Sequence, residues 1–156
     1  MPRFYLMIGI PGSGKTSVAR SQFSQALRAS FDDVRLMLTG KFYVAEIELI
    51  VKRVGDSALE ALLSKAPPKG YDVLLDATNV SRARRARYIR MAARHGLETV
   101  AVFVQCDLQT ALKRNQQRPG VVPENVVRRM FSNLQPPTAD EGFAEILVVD
   151  TSSSQS

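Results

Sequence analysis

The chain of 156 residues holds one cysteine, Cys106, and one histidine, His95. A lone cysteine excludes any internal disulfide framework, and one residue of each kind is too few for a structural zinc site. Cys106 closes an apolar run, which predicts a buried and inert thiol. No stretch approaches the roughly 18 uncharged apolar residues that a membrane span needs. No cleavable signal pattern follows Met1, so the expectation is a cytoplasmic protein without membrane contact. Internal repeats are lacking as well.

What is present suits a folded domain. The apolar fraction of 45% supports a real core, and the length predicts one domain over residues 1–150 with a disordered tail over 151–156. The net charge of +6 is unevenly placed. Between residues 80 and 130, eleven basic residues face only Glu98, Asp107 and Glu124, which leaves +8 there and −2 elsewhere. Such a basic half points to a polyanionic partner, either a phosphorylated substrate or nucleic acid, or else to solvated arginine-rich helix faces.

The hydrophobic pattern alternates between short apolar runs and helical spacing. Phe4–Ile8 suits a buried parallel strand, followed by a helix over about 14–24. Leu27–Ser30 reads as a short strand, and Asp32 with Asp33 opens a short helix with N-cap chemistry. Ile47, Ile50, Val51, Val54, Ala58, Ala61 and Leu62 keep helical spacing over 44–64, and Pro67, Pro68 and Gly70 end that helix. A third strand is predicted over 71–76 and a helix over 81–95 closed by Gly96, with Ala86, Ile89 and Ala93 as its buried stripe. A strand over 99–104, a helix over 109–117, a loop over 118–122, a helix from Pro123 to about 133 and a strand over 146–149 complete the pattern. Five strands alternating with helices predict an α/β fold, a five-stranded parallel sheet flanked by helices on both faces.

Gly9-Ile10-Pro11-Gly12-Ser13-Gly14-Lys15-Thr16 matches the P-loop pattern in full. Glycines let consecutive N–H groups curl around phosphate oxygens without Cβ clashes. The helix that follows aims its positive end at the same anion. In this pattern Lys15 neutralises the β and γ phosphates, and the Thr16 hydroxyl ligates Mg²⁺.

Further groups are expected at the C-terminal edge of the sheet, where ligands of open α/β sheets bind. The Asp32 carboxylate can there take the proton of an acceptor hydroxyl, and Arg35 lies three residues on along the same helical face. Asp76, closing the third strand, either holds Mg²⁺ through water or orients a neighbouring base, while Asn79 is a site residue or a turn residue. Arg114 and Arg118 lie just before Pro119-Gly120, placed to neutralise transferring phosphates or to complement a helix dipole. Arg82, Arg84, Arg85, Arg87, Arg90 and Arg94 share one helix without an i,i+4 carboxylate. Phosphate contacts from Arg82 and Arg85 are one reading, and solvated exposure is the other.

Together these segments resemble the kinase module of the 5′-hydroxyl polynucleotide kinases, within the P-loop kinases, over about residues 4–149. The resemblance is carried by the P-loop, Asp32 to Arg35, Asp76-Ala77-Thr78-Asn79, the run from Ser81 to Tyr88, Lys113-Arg114-Asn115 with Arg118, and Pro136 to Phe143. It implies strand order 2-3-1-4-5 and ATP·Mg²⁺ as donor, and no Asn-Lys-x-Asp guanine signature occurs in the chain. It also implies Asp32 as general base on the 5′-OH of DNA or RNA, and Arg35 as ligand of the neighbouring phosphate. Arg118, with Arg114, becomes the lid arginine. Phe31 departs from the pattern, because family members often carry Arg there. Kinases of small hydroxyl compounds share most of these parts, and a slow nucleotide-binding switch shares the cradle.

Overall fold

A computed structural model describes residues 1–118 and 121–152 of the chain. The most apolar short segment, Phe4–Ile8 (β1), takes the centre of the sheet. Around it lie Leu27–Ser30 (β2), Val73–Asp76 (β3), Thr99–Gln105 (β4) and Glu145–Asp150 (β5). All pairings are parallel and the order is β2-β3-β1-β4-β5. Each crossover carries a helix, as parallel pairing requires. These helices are Lys15–Gln22 (α1), Phe31–Thr39 (α2), Glu48–Lys65 (α3), Arg82–Arg94 (α4), Leu108–Gln117 (α5) and Glu124–Asn133 (α6).

Alternation along the strands feeds separate hydrophobic clusters on the two faces of the sheet. Phe4 and Leu6 of β1, with Val73 and Leu75 of β3, meet Val51, Leu59 and Leu63 of α3 and Tyr88 and Met91 of α4. Met7, Leu74, Val102 and Val104 face the opposite way, onto Val18 and Ala19 of α1. The central strands are therefore covered on both sides, which is why they read as continuous apolar runs. Phe31, the residue before Asp32, turns inward against α3. Its ring lies so close to Gly55 that a Cβ there would stand 2.2 Å from it, so glycine is what admits the ring.

Several boundaries differ from expectation. A 3-10 turn, Ala45–Ile47, precedes α3, and β3 begins only at Val73 because Tyr71 is exposed. Ser30 rather than an aspartate caps α2, its Oγ accepting from Asp33 N at 3.2 Å. Both first-turn carboxylates are thereby left for other partners. The buried stripe of α4 is Arg85, Tyr88, Met91 and Ala92, while Ala93 is exposed. The helix is rotated from the predicted face because an arginine in it finds a buried counter-charge. Cys106 is half-buried, and burial raises its thiol pKa. Thr151, expected in the tail, donates its N–H to Gln105 O at 2.9 Å, and Ser152 Oγ accepts from Asp107 N at 3.1 Å. Residues 119–120, within the expected loop, and 153–156 lie outside the described residues. Among the described residues, no helix is long and apolar enough to cross a membrane.

Candidate active site

The sheet order places the C-terminal ends of β1, β2 and β3 side by side, and the loops after them build one continuous depression. The P-loop leaves β1 and closes on itself through Ser13 N to Ile10 O at 3.1 Å, while Gly9 N donates to Thr78 O at 3.0 Å. Gly12 and Gly14 hold φ of +84° and +95°. At Gly12 the need for glycine is double, since a Cβ would lie 2.2 Å from Ala111 O of α5. Lys15 donates to Ile10 O at 3.1 Å. Burial pushes its ammonium below the usual lysine range, against the opposing pull of Asp76 and Asp32. A buried cation in that state favours an added anion.

Thr16 Oγ1 donates to Asp76 Oδ2 at 2.9 Å, so hydroxyl and carboxylate meet at the P-loop as a magnesium site needs. Arg28, a charge in short strand β2 that sequence reasoning passed over, donates Nε to the same oxygen at 3.0 Å and Nη1 to Asp33 at 2.8 Å. Among the described residues no three His, Cys, Asp or Glu side chains cluster as a metal cage. A divalent ion here would need phosphate oxygens or water to complete its shell.

Asp32 and Arg118, 86 residues apart in sequence, are in contact. Arg118 Nη2 donates to Asp32 Oδ2 at 2.9 Å, and Arg35 Nη1 to Oδ1 at 2.8 Å. Burial alone raises the Asp32 carboxyl, but Arg118, Lys15 and Arg35 outweigh it and hold the group below the usual carboxylate range. The Arg118 guanidinium also stacks on Phe42, 4.4 Å from the ring centre. Arg35 is further gripped by Glu48, which accepts from Nε at 2.8 Å and Nη2 at 2.5 Å. With Arg28, Glu48 and Phe42 are the site residues that sequence reasoning missed, and it named Arg84 only as one of six arginines on α4. An aromatic pair, Phe42-Tyr43, in an otherwise polar turn was the one visible signal.

Two spaces meet at this point. A cleft of about 390 Å³ runs along the P-loop between Thr16, Arg20, Arg28 and Arg114. A smaller cavity of about 130 Å³ lies beyond it, walled by Phe31, Tyr43, Val126 and Met130. Pro11, a buried P-loop residue, faces that cavity. Lys15, Asp32, Phe42 and Arg118 line both spaces.

Three expected site residues have other duties. Asn79 is buried with φ +47°, and its Nδ2 donates to Met7 O at 2.8 Å, so it clamps β3 to β1 instead of meeting substrate. Arg85 is fully buried, bidentate to Glu141 at 2.8 and 2.8 Å, and donates to Asn79 O and Gln135 O. Arg82 reaches Asp140 at 2.9 Å and Thr138, away from the cleft. The carboxylates missing from α4 itself are thus supplied by distant segments: Arg85 is enclosed, and Arg82, still partly exposed, pairs outside the two spaces. Arg114 lies beside the P-loop, donating Nη2 to Thr151 O at 2.6 Å and Nη1 to Ser13 O at 3.5 Å. Thr151 Oγ1 donates to the same Ser13 carbonyl. A segment near the chain end thereby braces the cradle.

A phosphate cradle after the central strand of a 2-3-1-4-5 parallel sheet, with a carboxylate facing it, defines the P-loop kinase fold. The chain belongs to the family described as AAA domain, which it matches over residues 4–137. It is 22% identical over 135 residues to the L-seryl-tRNA(Sec) kinase of Methanococcus maripaludis, covering 85% of this chain and 52% of that protein. The chain therefore spans about half the length of this curated relative. Its fold is also that of a chain in the Pnkp1/Rnl/Hen1 RNA repair complex, with TM-score 0.70 and 22% identity, covering 86% of this chain and 44% of that one. A sugar kinase from Janibacter sp. HTCC2649 superposes with TM-score 0.66 and 16% identity, covering 96% of this chain and 86% of that one.

Proposed function

We propose that this chain transfers the terminal phosphoryl group of ATP·Mg²⁺ to an acceptor hydroxyl, and that the acceptor is the 5′-OH end of DNA or RNA. One observation carries the transfer reading: Asp32 stands on the boundary between the P-loop cleft and a second cavity, beside Lys15 and Arg118. A nucleotide switch needs a cradle and a moving loop, but not a carboxylate facing a separate acceptor space. Bound ATP·Mg²⁺ supplies the phosphoryl group and part of the charge neutralisation. Glycine N–H groups, Lys15 and the braced Ser13–Gly14 turn hold the donor phosphates, while Thr16 and Asp76 offer the metal its protein oxygens.

Asp32, kept ionised by its cationic neighbours, orients the acceptor hydroxyl and takes its proton. The acceptor oxygen then forms the new bond to phosphorus as the bond to the nucleoside-diphosphate oxygen breaks. Both Asp32 oxygens already accept from arginines, so the hydroxyl uses a remaining lone pair or replaces Arg118. Release of Arg118 from Asp32 would free its charge for the transferring phosphates.

The polynucleotide acceptor is supported by the motif resemblance, by a relative named as an L-seryl-tRNA(Sec) kinase and by a fold neighbour from an RNA repair complex. A second reading, a small hydroxyl compound, is favoured by the limited cavity of about 130 Å³ and by Arg35, which is already neutralised by Asp32 and Glu48. The test is label transfer from γ-labelled ATP to a 5′-OH oligonucleotide, a nucleoside and a sugar. Lys15→Ala should abolish transfer, and Asp32→Asn should lose roughly 10²–10⁴ in rate. Asp33→Asn should stay within about tenfold, because Asp33 only pairs with Arg28 at the cleft edge. No transfer to any acceptor, or equal damage from both aspartates, overturns the assignment.

A further inference from the structure

Among the described residues, one cation that lines the second cavity, Arg84, pairs with no carboxylate and meets only the Tyr88 hydroxyl. The walls of that cavity bring Lys15, Arg35, Arg84 and Arg118 together with Asp32, Glu48 and Asp76. The carboxylates are all engaged: Asp76 by Thr16 and Arg28, Glu48 by Arg35, and Asp32 by Arg35 and Arg118. Lys15 belongs to the donor phosphates. Arg84 alone remains, and among the described residues no carboxylate pairs with it. Arg82, Arg85, Arg87 and Arg94 of α4 each reach Asp140, Glu141, Asp56 or Glu60, while Arg90, exposed and without a carboxylate partner among the described residues, lies outside the cavity lining.

Placement adds to the charge argument. Arg84 sits in the first turn of α4, its N–H capped by Ser81 Oγ at 3.2 Å, and its half-buried side chain faces the cavity. Phe31, turned inward toward Gly55, adds an apolar face to the same cavity and contributes no charge. Arg35 already makes three hydrogen bonds to two carboxylates and has little left to offer an anion.

We propose that the acceptor carries an anionic group, a phosphate or a carboxylate, which pairs with Arg84 while the acceptor hydroxyl faces Asp32. This rests on the transfer reading above and names the class of acceptor: a hydroxylated anion. A planar guanidinium meets either group through two parallel N–H donors, which fixes orientation as well as charge. If the anion is the phosphate that follows a 5′-terminal nucleoside, Arg84 does what the motif resemblance assigns to Arg35.

The experiment uses two matched pairs of acceptors, a nucleoside 3′-phosphate with its nucleoside and an aldonate with its aldose. Binding is measured by calorimetry in the presence of ADP·Mg²⁺, and kcat and KM by label transfer. The charged member of one pair should be favoured by about 10- to 100-fold, mainly in KM, as a charge-assisted contact implies. Arg84→Gln should compress that preference to within about threefold, and Arg84→Lys should keep part of it. Unfolding midpoints of both variants check that the helix remains folded. Equal use of charged and neutral members, a preference that survives Arg84→Gln, or failure of both anions to bind overturns the proposal. Arg84-dependent binding without label transfer would instead sink the transfer reading and leave the anion site standing. The favoured pair decides between a polynucleotide end and a sugar acid.

Discussion

Breaking the Arg85–Glu141 pair tests whether the basic helix serves the fold or the substrate. Arg85 is fully enclosed and makes four hydrogen bonds, two to Glu141 and one each to the carbonyls of Asn79 and Gln135. Glu141 also accepts from Thr138 N at 2.9 Å, so the pair ties α4 to the segment before β5. In Arg85→Ala, Glu141 keeps its burial and loses its counter-charge. Loss of one partner of a buried pair costs about 3–5 kcal/mol. In a domain of this size each kcal/mol lowers the midpoint by roughly 2–4 °C, so Tm should fall by about 6–20 °C. The double variant Arg85→Met/Glu141→Leu should recover much of that loss, since two apolar side chains leave no stranded charge. Calorimetry measures both, and label transfer is followed well below each midpoint. There kcat and acceptor KM should stay close to wild type. A variant with normal Tm and a sharply raised acceptor KM would refute the reasoning and return Arg85 to the substrate surface.

Other perturbations probe the cradle and the base. Gly12→Ala places a Cβ 2.2 Å from Ala111 O in a left-handed backbone, and the displaced loop should cost about 10²-fold in kcat/KM for ATP. Gly40→Ala, also at positive φ but with open space around it, is the control, and equal loss of activity in the two would refute the steric account. Arg118→Gln removes the strongest of the charges that hold Asp32 below the usual carboxylate range. A base with a lowered pKa stays ionised further into acid, so removing that charge should move the acid limb of kcat/KM to higher pH. A limb that stays in place, whatever the height of the plateau, would deny Asp32 the titrating role.

The P-loop and the strand before it were legible because local chemistry dictates them. Gly12 and Gly14 need backbone freedom, Lys15 and Thr16 complete the P-loop pattern, and the whole pattern is contained within eight consecutive residues. The alternation of apolar runs and helical spacing likewise determined an α/β sheet, since both periods are properties of neighbouring residues. Charge partnership is different. Whether an arginine is free depends on carboxylates that approach from far along the chain, as Glu141 does for Arg85 across 56 residues and Asp32 for Arg118 across 86. No spacing rule within α4 distinguishes Arg84 from Arg85, which share one helix and one residue type. Folding alone buried one against Glu141 and left the other facing the cavity, because consecutive residues point about 100° apart around a helix and so meet different neighbours.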